Sequence, residues 1–165
     1  MVFPMENRDE YYMRCALMQA RKAAENEEVP VGAVLVYQNQ IIARAHNQVE
    51  LLKDATAHAE MLCLTMGSEY VGNWRLNDMT LYITLEPCVM CAGAIMQTRV
   101  KRVVWGAKDI RLGANGSFVD LFKEKHPMHQ VEITGGILAD ESAFLLREFF
   151  QNQRKKDGKC TEKSS

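Results

Sequence analysis

A chain of 165 residues, 47% hydrophobic and 25% charged, has the length and balance of one globular domain, which excludes a fibrous or intrinsically disordered class. The formal net charge of -1 excludes an overall positive field, so a nucleic-acid partner would have to be held by local basic patches. No apolar run reaches the roughly 18 to 20 residues of a membrane span, Met1 to Asp9 lacks a signal-peptide stretch, and five cysteines is an odd number; the chain is therefore read as cytoplasmic, without membrane association, its thiols reduced.

Met13, Leu17, Ala20 and Ala24 recur at helical spacing between Met5 and Glu25 and predict an amphipathic helix ending before Pro30. The β-prone runs Val31 to Tyr37 and Ile41 to Ala45 flank Gln38-Asn39-Gln40 and predict an antiparallel hairpin, although the glycine usual in such turns is missing. Ala57 to Met66 predicts a second helix, with Gly67 as its C-terminal stop. Alternating Leu81, Ile83 and Leu85 predict a strand, Val89 to Gln97 a helix after Pro87, and Val100 to Trp105 another strand. Such a βαβ unit requires parallel strands and a right-handed crossover. The glycines of Gly106 to Ser117 mark a loop long enough to suggest function, without phosphate-loop spacing. Val131 and Ile133 suggest a last short strand, and Asp140 the cap of a helix carrying Phe144, Leu145 and Phe149. The fold class is α/β, with a mixed sheet between helices. The ordered domain is read as residues 1–156, and the polar tail, 157–165, as too poor in apolar residues to order.

Cys88 and Cys91 are three apart at a predicted helix start, so both sulfurs can reach one ion. His58, at the start of the second helix, completes a Cys₂His set whose fourth tetrahedral position is left for water, as catalysis by zinc requires. Two thiolates cancel the charge of the ion, so water there is less acidic than on an all-histidine site and a protein base is needed. Glu60 fills that role: it takes the proton of the water, delivers it to a ring nitrogen and protonates the leaving amine. His58 and Glu60 are two residues apart, roughly 200° on a regular helix, so both must lie in the first turn to share one site. A lone C-x-x-C would equally suit ordinary buried thiols, but His-x-Glu followed about thirty residues later by Pro-Cys-x-x-Cys is the signature of zinc nucleobase deaminases. Cys15, Cys63 and Cys160 are read as inert, and His46, His126 and His129 as surface or loop residues. Arg99, Lys101, Arg102, Lys108 and Arg111 face the single acid Asp109, and a second basic run begins at Arg147.

Val29 to Val34, Asp54 to Glu60, Thr84 to Gly93, Gly106 to Asp109, Gly113 to Ser117 and Gly136 to Glu141 resemble the bacterial tRNA-specific adenosine deaminases, a likeness running from about Glu10 to Lys156. The resemblance implies a three-layer α/β/α cytidine-deaminase-like fold around a mixed five-stranded sheet, a homodimer, and one zinc per subunit. It also implies that the wobble adenosine of a tRNA anticodon stem-loop is converted to inosine. By the same resemblance Asn47 hydrogen-bonds the flipped adenine beside Val31 and the backbone near Ala57, Phe149 or Phe150 lies against substrate nucleotides, and Asp109 is near the anticodon backbone. Lys108 replaces an arginine of the family and lacks its planar fork. Two alternatives stay open: a guanine, cytosine or nucleoside deaminase of the same fold, and a nucleic-acid-binding module with structural zinc, which would need a fourth protein ligand and no Glu60.

Overall fold

The strands β1 (Gly32–Tyr37), β2 (Gln40–His46), β3 (Thr80–Leu85), β4 (Arg102–Ala107) and β5 (Glu132–Gly135) form one sheet in the order β2-β1-β3-β4-β5. β1 is antiparallel to β2 and β3, whereas β3, β4 and β5 are parallel, so the sheet is mixed and the expected βαβ unit is present. The computed structural model describes residues 5–162, with side chains from Arg8 to Lys159; the Cys160 thiol and the outermost residues of the expected domain and tail lie outside the described residues.

β1 and β4 carry apolar side chains at successive positions because helices cover both faces of the sheet. On one face α3 (Ala59–Val71) and α4 (Val89–Gln97) pack Cys63, Leu64, Ala92 and Ile95 against Leu35, Ile83 and Val103. On the other, α1 (Met5–Glu25) sets Met13 and Ala16 against Val34, Tyr82 and Val104, with α5 (Ala139–Glu162) beside it. The result is the three-layer α/β/α arrangement with five central strands.

The hairpin forms without glycine. Only Gln38 and Asn39 separate β1 from β2, both with positive φ (49° and 63°), as the twist of a two-residue connection demands. α1 holds the turn: Arg8 Nη1 donates to Asn39 Oδ1 at 3.0 Å, and the Tyr12 hydroxyl to the Asn39 carbonyl at 2.8 Å.

Three boundaries differ from the sequence reading. Gly67 does not stop the second helix but lies inside α3, where a Cβ would come within 2.3 Å of Leu35 Cδ2; the left-handed stop is Gly72 (φ 66°). Asp140 falls in the first turn of α5 and does not cap it. The tail expected to be disordered from residue 157 continues α5 to Glu162. Extending an existing helix adds a hydrogen bond per residue without a new nucleus, and Lys156 is tied by an ion pair to Glu27 in the turn that follows α1. A short helix, α2 (Val49–Leu52), was not foreseen; the buried Glu28 carboxylate organises its start, accepting from the amides of Glu50 (3.2 Å) and Leu51 (2.7 Å).

Candidate metal centre and active site

The N-termini of α3 and α4 meet at the C-terminal end of β3. His58 is the N-cap residue of α3 and Cys88 that of α4, both with extended backbone (ψ 151° and 174°). Neither side chain makes a capping hydrogen bond to its helix; instead they turn toward each other. His58 Nδ1 lies 3.6 Å from Cys88 Sγ and 3.5 Å from Cys91 Sγ, and the ligand atoms of the three residues all fall within 4.8 Å of one another. His58 immediately before the helix and Glu60 in its first turn reconcile the two-residue spacing with a shared site.

The electrostatics call for a cation. Glu60 is only 4% exposed, and burial pushes its carboxyl up to about 7 against the lowering effects of its own backbone amide and of His58. The Cys91 hydrogen bond draws Cys88 down to about 4 despite burial, with His58 adding to the effect. Cys91 is pushed up in turn, first by Cys88, then by burial and Glu60. His58 is raised by its bond to Cys88, partly offset by burial. Two sulfurs and a carboxylate thus crowd one partly buried imidazole. A divalent ion would relieve that crowding, and two thiolates with one imidazole make a donor set suited to zinc.

The expected substrate wall is adjacent. The Asn47 amide donates to the Val31 carbonyl and the Gln48 amide to the Ala57 carbonyl, each at 3.0 Å, so Val31, Asn47 and Ala57 lie together, all buried, with His58 next in sequence. Asp109 sits in the loop after β4, where its carboxylate accepts from the amides of Arg111 and Leu112 at 3.2 Å. Phe149 and Phe150 make an edge-to-face pair with centroids 5.4 Å apart. Phe149 lines a cleft between α1 and α5 with Ala24 and Glu27, while Phe150 is the more exposed ring.

Sequence reasoning missed Glu86, a carboxylate 1% exposed two residues before Cys88, to which the loop beyond β4 is fastened. Its partners lie 23 to 31 residues further on, so no local spacing reveals them. Position inside the Thr84 to Gly93 segment was the one available signal.

Residues 6–107 match the family model of the cytidine and deoxycytidylate deaminase zinc-binding region. The chain is 48% identical to the tRNA-specific adenosine deaminase of Bacillus subtilis, over 90% of this chain and 92% of that protein. It is 52% identical to the chloroplastic tRNA(adenine(34)) deaminase of Arabidopsis thaliana over 87% of this chain, which spans only 12% of that longer protein. A solved structure from a study of A-to-I editing by tRNA:A34 deaminases at the wobble position superposes with a TM-score of 0.79 at 43% identity, over 82% of this chain and 99% of the other. The chain therefore belongs to the cytidine and deoxycytidylate deaminase zinc-binding family and, within it, to the tRNA-specific adenosine deaminases.

Proposed function

We propose that the protein hydrolyses the 6-amino group of adenosine at the wobble position of a tRNA anticodon, leaving inosine and releasing ammonia. The observation that carries this reading is the convergence of His58, Cys88 and Cys91 within 4.8 Å, with the buried Glu60 one residue beyond His58's neighbour Ala59. Zinc held by the three ligands supplies Lewis acidity that makes water a nucleophile near neutral pH. Glu60 accepts one proton of the attacking water and delivers it to a ring nitrogen of adenine; it then takes the remaining proton from the hydroxyl added at C6 and hands it to the departing amine as the C–N bond breaks and the carbonyl forms. Burial favours the protonated form of Glu60, which suits a group that must hold a proton between two transfers.

Asn47 hydrogen-bonds the flipped base, with Val31 and the Ala57 backbone as the walls of its pocket. The exposed Phe150 meets a neighbouring nucleotide by stacking, while Phe149 faces the cleft between α1 and α5. Asp109 shapes the loop that presents Lys108 and Arg111 to the anticodon backbone. A base in a single-stranded loop unstacks at little cost, which favours RNA over duplex targets.

The working form is a homodimer. Ile110, Leu112 and Phe118 are exposed on the loop that the Cys88–Gly113 bridge fastens to the start of α4, and a second copy would cover them. The thiolate ligands suit the reducing cytoplasm, and no helix among the described residues is long and apolar enough to cross a membrane. Wild-type protein incubated with an anticodon stem-loop carrying wobble adenosine, beside free adenosine, guanine and cytosine, tests the substrate. Inosine in the RNA alone is the expected result; turnover of a free base would assign the site to a nucleoside or base deaminase.

A further inference from the structure

Glu86 lies at the end of β3, where its amide still donates to the Ala107 carbonyl of β4 at 2.8 Å. Its carboxylate is buried, yet among the described residues no cation pairs with it. It accepts instead from the loop beyond β4: the Asp109 amide at 3.3 Å and the Ser117 hydroxyl on Oε1, the Asn115 amide at 2.9 Å and the Ser117 amide at 3.3 Å on Oε2. Gly113 closes over this group so tightly that a Cβ there would meet the carboxylate at 2.3 Å. The same loop is then stitched to the metal ligand's neighbourhood, because the Ala114 amide donates to the Pro87 carbonyl at 2.8 Å and Gly113 bridges Cys88.

A loop of a dozen residues that carries exposed Lys108 and Arg111 would ordinarily sample many conformations. Four hydrogen bonds converging on one buried carboxylate remove that freedom. We infer that Glu86 is a positioning residue that holds loop 109–117 in the conformation that receives the nucleotides flanking the reactive base. It thereby sets RNA affinity without taking part in proton transfer. Glu60 and His58 stand on α3, outside the loop, so loosening the loop should weaken substrate capture and leave the chemical step largely intact. This inference rests on the RNA-deaminase reading above.

Glu86→Gln keeps the shape but turns an NH₂ group toward N–H donors, so it breaks half of the anchor. With zinc-loaded protein, KM for the anticodon stem-loop should rise about tenfold while kcat stays within about threefold. Zinc should remain bound, and NMR hydrogen exchange at the Asp109, Asn115 and Ser117 amides should quicken. A lower melting temperature with KM unchanged would reduce Glu86 to a structural residue and overturn the inference. So would loss of zinc, or a higher KM with loop exchange unaltered, since Glu86 would then act through Cys88. If Glu86→Gln does not fold, Ser117→Ala decides: a severalfold rise in KM with kcat intact supports the anchor, and an unchanged KM contradicts it. Wild type without activity on the RNA would instead overturn the deaminase reading, and the amide exchange of loop 109–117 in Glu86→Gln or Ser117→Ala would still report on the anchor.

Discussion

On the proposed reading Asn47 and Phe150 meet substrate while Phe149 does not, and single substitutions separate the three. Asn47 is buried at the end of β2 with its backbone fixed to Val31. Truncation to alanine should lower kcat/KM on the stem-loop by about 10- to 100-fold, the worth of a hydrogen bond in a desolvated pocket, and barely move the melting temperature. Phe150→Ala should raise KM by about tenfold, since stacking on a base is worth about 1–3 kcal/mol. Phe149→Ala should spare KM and cost about 1 kcal/mol of stability, because its half-buried ring lines the cleft between α1 and α5. Denaturant unfolding beside steady-state kinetics distinguishes the two. At this scale the metal set was readable because its ligands come in two short runs, each at a helix start. Glu86 was not, because a carboxylate whose partners are backbone amides of a distant loop leaves no pattern in its own neighbourhood.

The limits of α4 agree with the run Val89 to Gln97 because Pro87 and the helix-forming apolar residues mark them locally. The end of α3 could not be read in the same way. Gly67 serves close packing on Leu35 and Gly72 serves the left-handed cap, and composition alone does not separate the two uses. Close approach also governs Gly32, where a Cβ would stand 2.1 Å from the Ala16 carbonyl oxygen and 2.5 Å from the Ala20 nitrogen. Gly32→Ala must push α1 off β1 and should cost about 3 kcal/mol in urea unfolding. The hairpin was foreseen from its two apolar runs although its turn residues were unusual, since Arg8 and Tyr12 of α1 supply the restraint that glycine normally makes unnecessary. Gln38→Asn, which tolerates positive φ better, should stabilise the protein by about 0.5 kcal/mol.

At the scale of the whole molecule, a partly buried ion pair clamps the first helix to the sheet. Asp9 of α1 receives both guanidinium nitrogens of Arg102 on β4 at 2.8 Å and the Tyr82 hydroxyl of β3 at 2.8 Å, while Arg102 also reaches Thr134 of β5. Burial raises the Asp9 carboxyl, but the bonds from Arg102 and Tyr82 outweigh it and leave it below its ordinary value of 3.8. A carboxyl lowered by folding contributes stability above that ordinary value and loses it as pH falls through the folded one. Asp9→Asn should therefore flatten the dependence of melting temperature on pH on the acid side and cost about 2 kcal/mol at neutral pH. The layers and strand directions were legible because hydrophobic periodicity and the βαβ rule are local; this clamp was not, because residues 93 apart in sequence meet only once the sheet exists.

If three ligands hold zinc while Glu60 moves the protons, Glu60→Gln must keep the metal and lose the turnover. Zinc content and single-turnover inosine formation on the anticodon stem-loop should be measured on the same preparation. The account predicts one zinc per chain, as in wild type, with the rate reduced by about 10³-fold or more. Inosine formation at the wild-type rate with the metal in place would contradict it.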